Sequence, residues 1–172
     1  VVTSITDNCS TPVPGLPKSY IVNVNTIPVL SSSLTPPAIC SGTSFSYTPT
    51  SATVGTTFTW NRAAVAGITP VGPTTGNGNP NETLTNTTAA PITVTYVYTL
   101  TANGCTNNQN VTVVVNPRPT LSSSLTPPAI CSGTSFSYTP TSTTVGTAFT
   151  WNRATVAGIT PVGPTTGNGN PN

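Results

Sequence analysis

Histidine and methionine are missing from this chain of 172 residues, and charge is nearly so: two acids, Asp7 and Glu82, and four bases, Lys18, Arg62, Arg118 and Arg153. General acid–base catalysis needs titratable groups within hydrogen-bond reach of each other, and a nucleophilic hydroxyl needs a base beside it. The abundant serines and threonines have no such base, so the chain reads as something other than an enzyme. Clustered Cys or His for zinc, and several carboxylates on one loop for calcium, are equally lacking; the sequence offers no catalytic residue, no metal site and no cofactor. A net charge of +2 on scattered cations cannot neutralise a run of phosphates, which sets nucleic acid aside. No apolar run approaches the roughly 18 residues of a membrane-spanning helix, and Val1-Val2-Thr3-Ser4-Ile5 carries no signal-peptide pattern.

What is present points to strands. Nineteen prolines and fourteen glycines lie among Thr, Ser and Asn, residues that break helices or compete with helical backbone bonding. The 35% of apolar residues, many β-branched, suffice for a core built from alternating strands, so an all-β fold with almost no helix is expected. The chain also repeats itself: Leu30 to Asn81 and Leu121 to Asn172, 91 residues apart, differ only at Ala52/Thr143, Thr57/Ala148 and Ala64/Thr155. Ser19 to Asn25 aligns with Asn110 to Asn116 at the same offset, each followed by a short link containing proline. Residues 1–26 therefore read as the C-terminal part of a preceding repeat, 27–118 as one complete repeat and 119–172 as the N-terminal part of the next. The two partial repeats would each leave a sandwich face uncovered, to be completed by a neighbouring molecule or by further chain.

Within the complete repeat, period-two alternation marks Phe45 and Tyr47, Phe58 and Trp60, Ile92 to Leu100, and Val111 to Val115 as strands. The expected core is Phe45, Tyr47, Phe58, Trp60, Val94, Tyr96, Tyr98 and Val113. Turn-forming residues separate these runs at Thr48 to Thr50, Val54 to Thr56, Pro70 to Asn81 and Asn103-Gly104, a spacing that fits a two-sheet sandwich. Trp60 and Trp151, each within Phe-Thr-Trp-Asn-Arg, have the makings of sugar-stacking platforms. Trp60 shares its alternation with Phe58, however, and core packing is the better reading. Arg62, next in that alternation, is expected at the strand end with its stem capping the rim. The Thr74 to Asn81 stretch lacks the Lys-Ser/Thr ending of a phosphate cradle and reads as a turn-rich loop. Sequons occur at Asn8, Asn81, Asn86 and Asn110, as chance alone yields in a Thr- and Asn-rich chain.

Each repeat carries one cysteine near its start (Cys40, Cys131) and one before its last strand (Cys9, Cys105). The expectation is a bridge between Cys40 and Cys105, contributing about 4 kcal/mol in the chain-entropy model and implying an oxidising, extracellular setting. Cys9 and Cys131 would then find partners outside this segment, or in neighbouring molecules stacked head to tail.

Phe58-Thr59-Trp60-Asn61-Arg62, Glu82-Thr83-Leu84-Thr85-Asn86, Val94-Thr95-Tyr96, Gly104-Cys105 and Val113-Val114-Val115-Asn116-Pro117-Arg118-Pro119 resemble the PKD-like repeats of Bacteroidota surface proteins. The resemblance implies an immunoglobulin-like β-sandwich in a very large secreted protein, exported by a type IX system and displayed as an adhesin or as gliding-type filaments. Where PKD domains carry a Trp-Asp-Phe-Gly-Asp-Gly type motif, this chain has Trp60-Asn61-Arg62-Ala63-Ala64-Val65, so no ligand carries over. The expected function is a structural repeat of an extracellular filament or stalk on a bacterial cell surface, with its own copies as partners. The alternatives are a module binding glycan or another surface ligand, or an accessory domain of a secreted hydrolase. Near-identical repeats suit a spacer better than a reader of particular ligands.

Overall fold

The structure, a computed structural model, describes residues 21–171. Ten strands and no helix occur among them: β1 (Ile39–Cys40), β2 (Thr43–Phe45), β3 (Thr57–Arg62), β4 (Ile68–Thr69), β5 (Thr74–Asn77), β6 (Glu82–Asn86), β7 (Ile92–Ala102), β8 (Cys105–Asn116), β9 (Thr150–Arg153) and β10 (Thr165–Asn168). Two sheets form an all-β sandwich, one ordered β1-β8-β7-β3-β5 and the other β2-β6-β4, while β9 and β10 make a separate hairpin.

The longest pairing is β7 with β8, antiparallel from Ile92↔Val115 to Ala102↔Cys105. Its two-residue turn is Asn103-Gly104, with φ of 50° and 79°, the left-handed geometry that suits an Asn-Gly hairpin. Alternation does the sorting: Val94, Tyr96, Tyr98, Leu100, Val111, Val113 and Val115 are fully buried, while the residues between them are exposed or half-buried. The smaller sheet contributes Phe45, Ile68 and Leu84 to the opposite wall. Aromatic rings pack across and along the layers: the centroids of Phe45 in the smaller sheet and Tyr96 in the larger are 5.0 Å apart, while those of Trp60 and Tyr96, both in the larger sheet, and of Tyr47 and Tyr98 are 5.4 Å apart. Tyr47 and Trp60 are buried as well, and Phe58 packs half-buried against the cluster.

The first half of β8 is polar on both faces, and its side chains hold the incoming chain instead of a core. Asn107 Nδ2 donates to the Pro28 carbonyl and the Leu30 N–H donates to Gln109 Oε1. Farther along, the Thr112 N–H donates to the Leu34 carbonyl. Parallel pairing then begins at Ile39↔Val115 and Cys40↔Asn116, with Ser41 N–H donating to the Asn116 carbonyl. The incoming segment thus runs the full length of β8 in the same direction.

Thr74–Asn77 corrects the expectation of a loop across Pro70 to Asn81. It is strand β5, antiparallel to β3 with Trp60 opposite Gly76. A Cβ at Gly76 would lie 2.6 Å from Trp60 Cζ2, so the glycine that suggested a turn instead lets the indole lie across the strand backbone. The β9–β10 hairpin reproduces this register 91 residues on, with Trp151 opposite Gly167, but Trp151 is only half-buried.

Gly76→Ala is expected to destabilise the fold by about 1–3 kcal/mol through overpacking and to shift Trp60 emission to longer wavelength. Denaturant unfolding followed by fluorescence in a Trp151→Phe background checks this; an unchanged midpoint and spectrum would contradict the packing described.

Candidate functional site

The chemistry-bearing side chains of the sandwich gather at two kinds of place, one inside it and one at its ends. Inside, Arg62 at the end of β3 is fully buried, and its Nε donates to Glu82 Oε2 at 3.0 Å. Its Nη2 reaches Glu82 Oε1 at 3.5 Å and the Pro70 carbonyl at 3.3 Å, and Nη1 donates to the Ala63 carbonyl at 3.2 Å. The Tyr96 hydroxyl donates to Glu82 Oε2 at 2.6 Å. Because β3 and β7 belong to the larger sheet and β6 to the smaller, this one carboxylate joins the two layers.

Arg62 is therefore no rim residue. Phe58, Trp60 and Arg62 occupy alternate positions of one strand, which sends the guanidinium to the core face, where Glu82 neutralises it. Sequence reasoning missed Glu82; its signal was scarcity, since it is the only side-chain carboxylate among the described residues. Burial alone would raise the Glu82 carboxyl. The hydrogen bonds from Arg62 and Tyr96, with the Arg62 charge, outweigh it and hold the pKa below the ordinary value. Burial, then the hydrogen bond to Glu82, pushes the Tyr96 phenol well up. Burial likewise raises Tyr98, whose hydroxyl donates to the Gly78 carbonyl. A locked carboxylate, an engulfed guanidinium and protonated phenols make a structural cluster, closed to substrate.

The ends of the sandwich carry the cysteines. Cys40 stands opposite Asn116 and is exposed, whereas Cys105 begins β8 and is half-buried; both are free thiols. This corrects the expected bridge between them. Eleven residue steps of extended strand separate Cys105 from Asn116, roughly 36 Å, against the 4–7 Å or so between Cα atoms that a disulfide spans. Cys131 is a free, exposed thiol, and Cys9 lies outside the described residues.

The end near Cys40 is tied down by polar bonds. Asn86 is buried, its Nδ2 donates to the carbonyls of Ala90 and Val115, and its backbone N–H donates to Ser41 Oγ. With its amide so engaged, the Asn86 sequon is closed to glycosylation in the folded state, while Asn81 and Asn110 are exposed. No group of three or more metal-ligating side chains occurs among the described residues.

Residues 37–119 match the family described as a PKD-like domain, a span that covers the sandwich from just before β1 to just beyond β8. No curated protein and no solved structure matches the chain.

Since the folded carboxyl of Glu82 lies below its unfolded value, its contribution is complete above the unfolded pKa, near 4.3, and is lost as pH falls through the folded value. Glu82→Gln is expected to cost about 3–5 kcal/mol at pH 7 by leaving Arg62 buried without a counter-charge, and to flatten the loss of stability on acidification. Denaturant midpoints between pH 2 and 7 measure both; equal pH slopes for the two proteins would contradict the assignment.

Proposed function

We propose that the chain is a stretch of load-bearing spacer: residues 27–118 form one complete repeat, flanked by the end of a preceding repeat (1–26) and the start of a following one (119–172), in an extracellular filament or stalk on a bacterial cell surface, within an adhesin. The observation that carries this reading is the parallel run of residues 28–41 beside β8. The incoming chain meets the sandwich at the Asn103-Gly104 turn, where Asn25 Nδ2 donates to the Asn103 carbonyl. The outgoing chain leaves past Asn116, at the opposite end. Tension along an array therefore pulls two neighbouring parallel segments in opposite directions along their lengths. Their bonds are loaded together in shear and must fail together, which suits a unit whose task is to transmit force.

Other features support the same reading. The large aromatics of the complete repeat lie in or against the core, which leaves no aromatic platform there for a sugar, so a glycan- or surface-binding role draws no support from this face of the chemistry. The only ion pair among the described residues is sealed between the sheets, and those residues offer no acid–base pair open to substrate, in keeping with a non-catalytic role. The scarcity of charge leaves few sites for trypsin-like proteases. The Asn116-Pro117-Arg118-Pro119 link restricts bending between units.

Electron microscopy of the native material tests the proposal. Stacking along the strand direction predicts rods with an axial period of about 40 Å, the length of strand from Asn103 to Asn116. Irregular globules without that period would overturn it.

A further inference from the structure

The cysteine pairing within a repeat fails on distance, yet the same geometry brings two cysteines together between repeats. Asn25 and Asn116 are the same position 91 residues apart, each the last residue before the link to the next repeat. At the outgoing end, Cys40 is the register partner of Asn116, and Ser41 N–H donates to its carbonyl at 2.8 Å. At the incoming end, Cys105 Sγ lies 4.0 Å from the carbonyl oxygen of Asn25. The two thiols therefore address one and the same junction residue, Cys40 from the repeat that ends there and Cys105 from the repeat that begins there. Neighbouring strands lie about 4.8 Å apart, so a cysteine paired with the junction asparagine and another touching its carbonyl stand within disulfide reach.

We propose that successive repeats are joined by a disulfide between Cys40 of one repeat and the Cys105 counterpart of the next. Two thiols lose two protons and two electrons to form one S–S bond; a protein disulfide of an oxidoreductase accepts them and becomes a dithiol, or oxidised glutathione accepts them and becomes two molecules of glutathione thiol. Within this chain no such pair is complete. Cys40 would take the counterpart of Cys105 in the repeat begun at residue 119, and Cys105 the counterpart of Cys40 in the repeat ended at residue 26. Cys9 and Cys131 are the corresponding half-pairs of those repeats.

The bond changes how an array carries force. Each incoming segment would continue through its disulfide into β8 of the next repeat, and each β8 continues through the peptide chain into the next incoming segment. Two covalent cables then run side by side along the whole array. Residues 41–104 of every repeat, including the buried ion pair, lie outside the loaded path.

The inference rests on the tandem reading, and one experiment separates the two. The full chain is extended after Asn172 by a second copy of residues 82–118, which supplies the missing back of the second repeat and a new copy of Cys105. It is oxidised with a glutathione redox buffer, and its disulfides are mapped by mass spectrometry after non-reducing digestion. The expected product has one bridge, from Cys40 to the added cysteine, with Cys9, Cys105 and Cys131 still open to alkylation. Cys40→Ser should abolish the bridge and Cys131→Ser should leave it intact, while the unextended chain forms no internal disulfide. A bridge from Cys131 to the added cysteine, or from Cys40 to Cys105, overturns the proposal. So does an added repeat that folds, shown by Trp151 emission shifting to that of a buried indole, with every thiol free; that result leaves the tandem reading standing. If Trp151 emission does not shift, the tandem reading itself fails and the disulfide with it.

Discussion

The parallel run of residues 28–41 along β8 is the constraint on which the rest of the sandwich depends. It places the incoming and outgoing chain at opposite ends of the sandwich, the arrangement that the proposed array of repeats needs in order to extend instead of folding back. It covers the polar half of β8, which has no core to face and uses Asn107 and Gln109 to hold the backbone of Pro28 and Leu30. It also sets Cys40 and Cys105 a full strand apart, which forbids their union within one unit and directs each thiol outward. A sandwich with both termini at one end would share the same core and have none of these consequences.

The core serves this arrangement by fixing the two sheets against each other. Most of that work is apolar, through the buried valines of β8 and the aromatic stack of Phe45, Tyr96 and Trp60. The Arg62–Glu82–Tyr96 cluster adds direction to it. Apolar contacts tolerate sliding between layers, whereas one carboxylate that must meet both a guanidinium and a phenol admits a single alignment. Replacing such a pair by apolar residues of similar volume often costs nothing in stability; what the cluster does is tie β6 to β3 and β7 through one carboxylate. Near-absence of other charge sharpens the specification, because Arg62 has no rival carboxylate among the described residues.

Much of the fold was legible because alternation is a strong signal wherever one face of a strand is buried. Runs such as Val94-Thr95-Tyr96-Val97-Tyr98 and Val111-Thr112-Val113 announce both the strand and its inward face. β5 was hidden because Thr-Thr-Gly-Asn imitates a turn, and only the indole of Trp60 lying over Gly76 explains a glycine in that strand. The site was less legible than the fold. Arg62 was already marked by its parity with Phe58 and Trp60, yet a charged residue reads as rim until its counter-charge is found, and Glu82 lies 20 residues away on another strand. The cysteines misled for a different reason. Regular spacing suggests that the two thiols belong to one scheme, but only the direction of β1 along β8 shows that they stand at opposite ends of the sandwich.

The central claim is that this geometry transmits load, and single-molecule force spectroscopy on the reduced chain, held at its two termini, tests it most directly. The account predicts one abrupt event for the complete repeat, in which the bonds between residues 28–41 and β8 fail together and release about 260–290 Å of chain. Gradual lengthening at low force, with no abrupt step, would show that the strands peel one bond at a time and would contradict it.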